Sequence, residues 1–427
     1  AYEIVCGDWS SDVCSSDLIR RWDLQEVERQ CWYLVWFSLP VSLKMTSICL
    51  ILTAIATLWN RYRIPVRQKE RRWLAAIPFF LLFFWQASEI ITSGSISSAW
   101  KETEKQLSFA VIPLLYVLTG IRRSEMATIA TAALISSLVL CSLLLLPAAF
   151  IRFHITGDPA EFIYHQLASP LHTGAIYFSL YLLFALFLAG DPQWWPDRPV
   201  LKTLLAVFLL IMLLLMASRM LLLAGIPLLI WQHRQIIFRR AVNRRIWLIA
   251  GTTLLIAGTL PLTTRIKPLL EADPRMAFAG DFSHAPEPNG LQLRLILWRF
   301  GIETLNDRHA WLTGTGMVNT QSLLNGRMMQ YNLYTGTRSG NDIGYLNYNL
   351  HNQFMETMVR QGVIGLVLLC ILLALPFFRQ GRSALFSPLF TLVIVALFLT
   401  ESVLERQAGI VFFVLVTAPF IPDICSD

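Results

Sequence analysis

Tyr345-Leu-Asn-Tyr-Asn-Leu-His351-Asn352-Gln-Phe-Met-Glu356 runs on through Arg360-Gln-Gly362-Val-Ile-Gly365 into an unbroken apolar tail that ends at Phe378. A polar segment that passes straight into a membrane helix, with a histidine at the junction, points to chemistry at a membrane surface. The composition of the whole chain agrees. Its 427 residues are 55% hydrophobic and 15% charged, with a mean hydropathy of +0.54, which excludes an ordinary soluble domain. A hydrocarbon core about 30 Å thick takes roughly 20 apolar residues per helix, and the sequence supplies about a dozen such runs.

The expected fold is an all-α polytopic membrane protein with twelve spans and one large, mainly helical outer loop before the last three. Cys31 to Trp59 is interrupted by Pro40 and Lys44 and reads as two short helices. Further spans are expected at Trp73–Ile91, Gln106–Gly120, Met126–Ile151, Leu171–Gly190, Leu201–Met216, Met220–Trp231, Ile246–Leu262, Val363–Phe378, Leu385–Thr400 and Gln407–Ile421. Asn60 to Arg72 holds six basic residues against Glu70 alone, the strongest inner-side signal in the chain. Both termini then lie inside, and Arg122, Arg123, Arg198, Lys202, the cluster Arg234 to Arg245, Arg379 and Arg382 all fall on the inner side. The net charge of +7 is thereby a matter of topology and gives no reason to expect nucleic acid. Cys49, Cys141 and Cys370 sit in apolar runs and Cys6, Cys14, Cys31 and Cys425 towards the ends, with neither metal spacing nor a disulfide framework. Residues 1–18 read as a non-native or disordered leader, 19–262 as nine spans, 263–362 as an outer cap and 363–427 as the last three spans.

The outer segment Thr263 to Leu350 is long and almost neutral, so topology does not explain it and a folded cap does. Pro288 to His309 carries Leu293, Leu297, Phe300 and Leu305 at helical spacing, and Asn319 to Tyr334 suits a second helix. The turn Leu312-Thr-Gly314-Thr-Gly316 would let backbone N–H groups approach a ligand, or be a plain loop. Arg219, confined between two apolar runs, must find an anion, whether a ligand or a lipid headgroup. Arg294 and Trp298, four residues apart, share a helix face and present a cation and a flat ring to one ligand, or else a solvated face beside a buried indole. Glu401, at the end of an apolar run, orients an arginine or merely marks a helix end. His351 suits a general base, although a histidine at a helix start is often only a hydrogen-bonded cap. Tyr345, Tyr348 and Asn352 around it supply the aromatic faces and amides that hold sugars. The outer loops have no Asp-x-Asp pair or cluster of His and carboxylates, so no metal or other cofactor is expected, and arginines would neutralise a departing diphosphate.

From Cys31 onward the chain resembles the O-antigen ligase family, part of a superfamily of O-antigen ligases and polymerases. The resemblance rests on Ser218-Arg219, on Arg294-x-x-x-Trp298 followed by Leu312-x-Gly314-x-Gly316, and on His351-Asn352-Gln353-Phe354 leading to Gln361-Gly362-Val-Ile-Gly365-Leu. It implies inverting, metal-independent transfer of a glycan from undecaprenyl diphosphate to a sugar hydroxyl of lipid A core, on the periplasmic face of the bacterial inner membrane. On that likeness His351 is the base, Arg219 and Arg294 bind the diphosphate, and Trp298, Tyr345, Tyr348, Asn352 and Glu401 support them. Arg360 departs from the family pattern. A charge there is costly inside the bilayer, so the membrane is expected to begin near Gly362, with His351 on a separate amphipathic helix above it. An O-antigen polymerase, a protein O-oligosaccharyltransferase, a lipid-linked sugar flippase and an envelope scaffold are the competing readings. One dominant outer loop favours the ligase over the polymerase, and nearly charge-free spans disfavour a transporter.

Overall fold

The computed structural model describes residues 9–63, 70–171, 173–189, 199–216, 219–239, 273–336, 342–378 and 388–420, the backbone alone at 9–23, 70–71, 199, 219, 233–239, 378 and 420. Among them all regular structure is helical. Helix α1, Trp9–Ser38, runs continuously across Leu18. The chain turns at Pro40, with the Val41 and Ser42 amides bonded to the Ser38 carbonyl, and α2 (Leu43–Arg63) packs back along α1. The two-helix expectation for Cys31 to Trp59 therefore holds, and its cause is the one anticipated: proline cannot extend the hydrogen-bond ladder.

Next come α3 (Glu70–Ala87), the single turn α4 (Glu89–Thr92), α5 (Ile96–Gln106) and α6 (Ser108–Leu118). Helix α5 buries Ala99, Thr103 and Gln106 on one stripe and leaves Ile96, Trp100, Lys101 and Glu104 exposed. The chain continues through α7 (Arg123–Thr156), α8 (Tyr164–Ala168), α9 (Ala175–Ala189), α10 (Pro199–Met216) and α11 (Arg219–Arg239). Then follow α12 (Gly290–Asp307), α13 (Thr320–Gln330), α14 (Gln353–Phe378), α15 (Pro388–Phe398) and α16 (Gln407–Thr417). Four stretches are long and apolar enough to cross a membrane, Leu43–Arg63, Arg72–Thr92, Arg123–Thr156 and Gln353–Phe377, and five shorter apolar helices accompany them. The span expected at Ile246–Leu262 and the outer segment before residue 273 lie outside the described residues.

Two apolar bodies form. The larger joins α1, α3, α6, α7, α9, α15 and α16, with Phe184, Phe390 and Phe412 in mutual ring contact and Trp36 stacked on Phe184. The smaller is the cap, where Leu293, Ile296, Leu297, Phe300, Leu324 and Met328 from α12 and α13 close over Leu350 and Val359. Burying a side chain such as Phe300 contributes about 1.5–3 kcal/mol, enough in sum to hold two short helices in place. Helix α12 begins where the sequence tells it to: Asn289 accepts from the Leu291 and Gln292 amides while the Gln292 side chain returns to the Asn289 amide.

Val359 belongs to the smaller body, so the first turns of α14 pack with α12 and α13. The helix is broken beyond these turns, at Gly362, whose φ of 68° and ψ of −168° are not helical.

Candidate functional site

The break at Gly362 is where the two-glycine turn docks. Thr315 and Gly316 donate their amides to the Val359 and Arg360 carbonyls, and Val363 donates back to the Trp311 carbonyl, all at 2.8–3.0 Å. Gly314 donates to the Ala310 carbonyl, and Met317 and Val318 donate to the Glu89 carboxylate at 2.7 and 2.9 Å. Every amide from Gly314 to Val318 thus has an acceptor within the protein. Of the two readings of this turn, the ligand-facing one finds no free amide and the structural one fits: the turn is a seam joining α4, the cap and the broken helix. A backbone that supplies donors this close to a helix break satisfies the break's own carbonyls first.

Above the seam stands His351. It does not lie on an amphipathic helix, as expected, but in the loop just before α14, because Asn352 is the residue that caps that helix: its side-chain oxygen accepts from the Phe354 and Met355 amides at 3.0 and 3.1 Å. His351 has a φ of 46° and Asn347 a φ of 65°, left-handed conformations that cost non-glycine residues of order 1–3 kcal/mol each and cluster at functional sites. The His351 amide donates to the Asn349 side chain at 3.0 Å. Nδ1 of the imidazole faces the Glu401 carboxylate at 3.4 Å, and the other oxygen of Glu401 lies 3.7 Å from Nη2 of Arg294. One carboxylate therefore stands between the imidazole and the guanidinium, and all three side chains are about 30% exposed.

The remaining sequence candidates surround this trio. Trp298, one turn beyond Arg294 on α12, donates its indole N–H to the Leu350 carbonyl at 2.8 Å and so supports the loop under His351. Tyr345, Tyr348 and His351 form a row of edge-on rings with centroids 5.5 and 6.0 Å apart. Burial, with Glu287 beside it, pushes the Tyr345 phenol up, so that ring presents a hydroxyl and not a phenolate. Arg294 also donates to the Thr400 and Gly290 carbonyls. Arg219 opens α11, and its side chain, like residues 217–218, falls outside the description.

Beneath the loop lies a set of charges that sequence reasoning did not place in the site. Glu356, fully buried, holds the Nε of Arg360 at 2.6 Å, and Arg360 reaches Glu405 with its second arm. Burial pushes the Glu405 carboxyl up from the ordinary glutamate range, with the neighbouring Glu356 acting in the same direction and Arg360 against it. Glu405 therefore retains a proton more readily than a free glutamate does. The spacing of Glu356 and Arg360, one helical turn apart, was the available signal. Glu405, on another element, could not be assigned to them without the fold.

Residues 204–370 match the family model described as O-antigen ligase. That span contains Arg219, Arg294, Trp298, Tyr345, Tyr348, His351 and Asn352, and ends before Glu401. No curated protein matches the chain.

Proposed function

We propose, from a chain whose residues 204–370 carry the O-antigen ligase family signature, that this protein is an inverting, metal-independent glycosyltransferase of lipopolysaccharide assembly. Its donor is O-antigen glycan on undecaprenyl diphosphate, its acceptor a sugar hydroxyl of lipid A core. Its place is the bacterial inner membrane, with the site on the periplasmic face, among membrane lipids. The observation that carries the reading is the meeting of His351, Glu401 and Arg294.

Glu401 against Nδ1 orients the ring and leaves Nε2 to meet the acceptor. Nε2 takes the hydroxyl proton as the oxygen bonds to the anomeric carbon, and the bond from that carbon to the diphosphate breaks on the opposite side, inverting the configuration. Glu401 balances the imidazolium that forms. Arg294, joined by Arg219, neutralises charge on the leaving diphosphate through short, charge-assisted hydrogen bonds. The 3.4 Å separation of His351 and Glu401 is within the range that such contacts show before substrate tightens them. Tyr345 and Tyr348 give the glycan flat faces to lie on.

Purified protein, chelator-treated and supplied with lipid-linked donor and core acceptor, tests the reading. The expected outcome is a new glycosidic bond made by wild type and a loss of about 10² to 10⁴ in rate for His351→Ala with an unchanged melting temperature. Donor glycan appearing across a vesicle membrane with no new bond would identify a transporter instead. Joining of two lipid-linked glycans would identify a polymerase.

A further inference from the structure

Three consecutive amides at the crest of the His351 loop are each held by a side chain. Leu350 donates to Oε2 of Glu356 at 2.9 Å, His351 to Asn349 at 3.0 Å and Asn352 to the Ser402 hydroxyl at 3.3 Å. The Ser402 hydroxyl in turn donates to the same Oε2 of Glu356 at 3.3 Å. Ser402 is the residue after Glu401. A single buried carboxylate oxygen therefore grips the backbone that carries the imidazole and the segment that carries its carboxylate partner. The clamp is reinforced at both ends: Gln353 accepts the Leu404 amide at 2.6 Å, and Arg360, on the other oxygen of Glu356, holds Glu405. Gln353, Glu356 and Arg360 follow one another along one face of α14, so one rigid stretch of helix fixes both flexible segments of the site.

We infer that Glu356 is the positioning residue of the His351–Glu401 pair, setting the aim of the imidazole without itself touching substrate. The inference rests on the transferase reading above. A loop with left-handed residues at Asn347 and His351 keeps its shape only where its surroundings over-determine it, and while Trp298 and Asn325 also hold the loop, Glu356 bonds both to it and to Ser402. Its charge is matched to the task. A carboxylate accepts from the Leu350 amide, the Ser402 hydroxyl and Arg360 together, whereas a glutamine must turn its NH₂ towards one of these donors. Aspartate falls short of the loop by one methylene. Misplacing a reacting group by about 1 Å costs on the order of 10² in rate.

Steady-state transfer and thermal unfolding in detergent are compared for wild type, Glu356→Gln, Ser402→Ala and the triple variant Glu356→Gln/Arg360→Met/Glu405→Gln. The triple variant removes the three buried charges together and strands none of them, and so separates positioning from stability. Glu356→Gln is expected to lower kcat about 10- to 100-fold with KM for the lipid-linked donor changed less than about threefold. Ser402→Ala should do the same to a smaller degree. The triple variant should keep a melting temperature near that of wild type while kcat stays low. Wild-type kcat in a folded Glu356→Gln, or in the folded triple variant, would overturn the positioning role alone. Failure of wild type to transfer at all would overturn the transferase reading, and this inference with it.

Discussion

Arg294 carries three obligations, to the Glu401 carboxylate and to the Thr400 and Gly290 carbonyls, and all are partly exposed. Exposed ion pairs are worth about 0–1 kcal/mol, so the contribution of Arg294 to stability is small, and on the function proposed above its planar fork serves a phosphate. Arg294→Lys keeps the charge and loses the fork. It is expected to leave the melting temperature within a degree or two and to raise KM for the lipid-linked donor about tenfold, the loss of roughly one charge-assisted hydrogen bond. Titration of initial rate against donor concentration reads this directly; an unchanged KM would remove Arg294 from the diphosphate site. At this scale the sequence singled out His351, Arg294 and Trp298, which the structure brings together, because a histidine among amides and tyrosines and an arginine one turn from a tryptophan are local patterns. It was less so about Glu401. That carboxylate joins two partners that lie 50 and 107 residues away, and no local spacing encodes such a meeting.

The break in α14 shows what an element can and cannot reveal beforehand. A charge at Arg360 beside the apolar run leads to the expectation of a boundary near Gly362, and the structure places a helix break at that residue. That the boundary would be a seam, with residues 314–318 bonded into it, depends on contacts between distant elements. Both glycines are required by geometry. At Gly362 a Cβ would come within 2.2 Å of the Leu312 carbonyl oxygen, and at Gly314 within 2.4 Å of the Arg360 carbonyl, each at a φ above 60°. Gly362→Ala is therefore expected to destabilise by more than the roughly 1–3 kcal/mol of backbone strain alone. Gly326→Ala serves as the contrast, since nothing lies within 4 Å of its Cβ and it sits inside α13; there the change should stabilise by about 0.5–1 kcal/mol. Denaturation midpoints for the two variants should move in opposite directions. Equal shifts would mean that the seam at Gly362 is not tight.

At the scale of the molecule, long apolar helices and a separate, smaller helical body were legible because hydropathy and neutral charge are properties of long stretches. The Glu356–Arg360–Glu405 unit was legible only in its Glu356–Arg360 half, one helical turn apart, since Glu405 reaches it from another element. Its presence gives the whole protein a definite response to pH. The Glu405 carboxyl is raised by burial above the 4.5 of a free glutamate, so over the interval above pH 4.5 the folded chain binds a proton that the unfolded chain has released. Stability must then fall as pH rises through that interval, and the contribution is fully present only below it. Asp281 in the cap has the opposite sign: hydrogen bonds from the Ser283 amide, the Asn332 side chain and the Ser283 hydroxyl hold it at about 2, so its contribution is present above pH 4 and lost as pH drops towards 2. The two windows do not overlap. Between pH 5 and 8 the melting temperature in detergent is expected to decline with rising pH, and Glu405→Gln, which cannot ionise, should flatten that slope without altering the loss below pH 4. A slope in Glu405→Gln as steep as in wild type would show that the proton resides elsewhere.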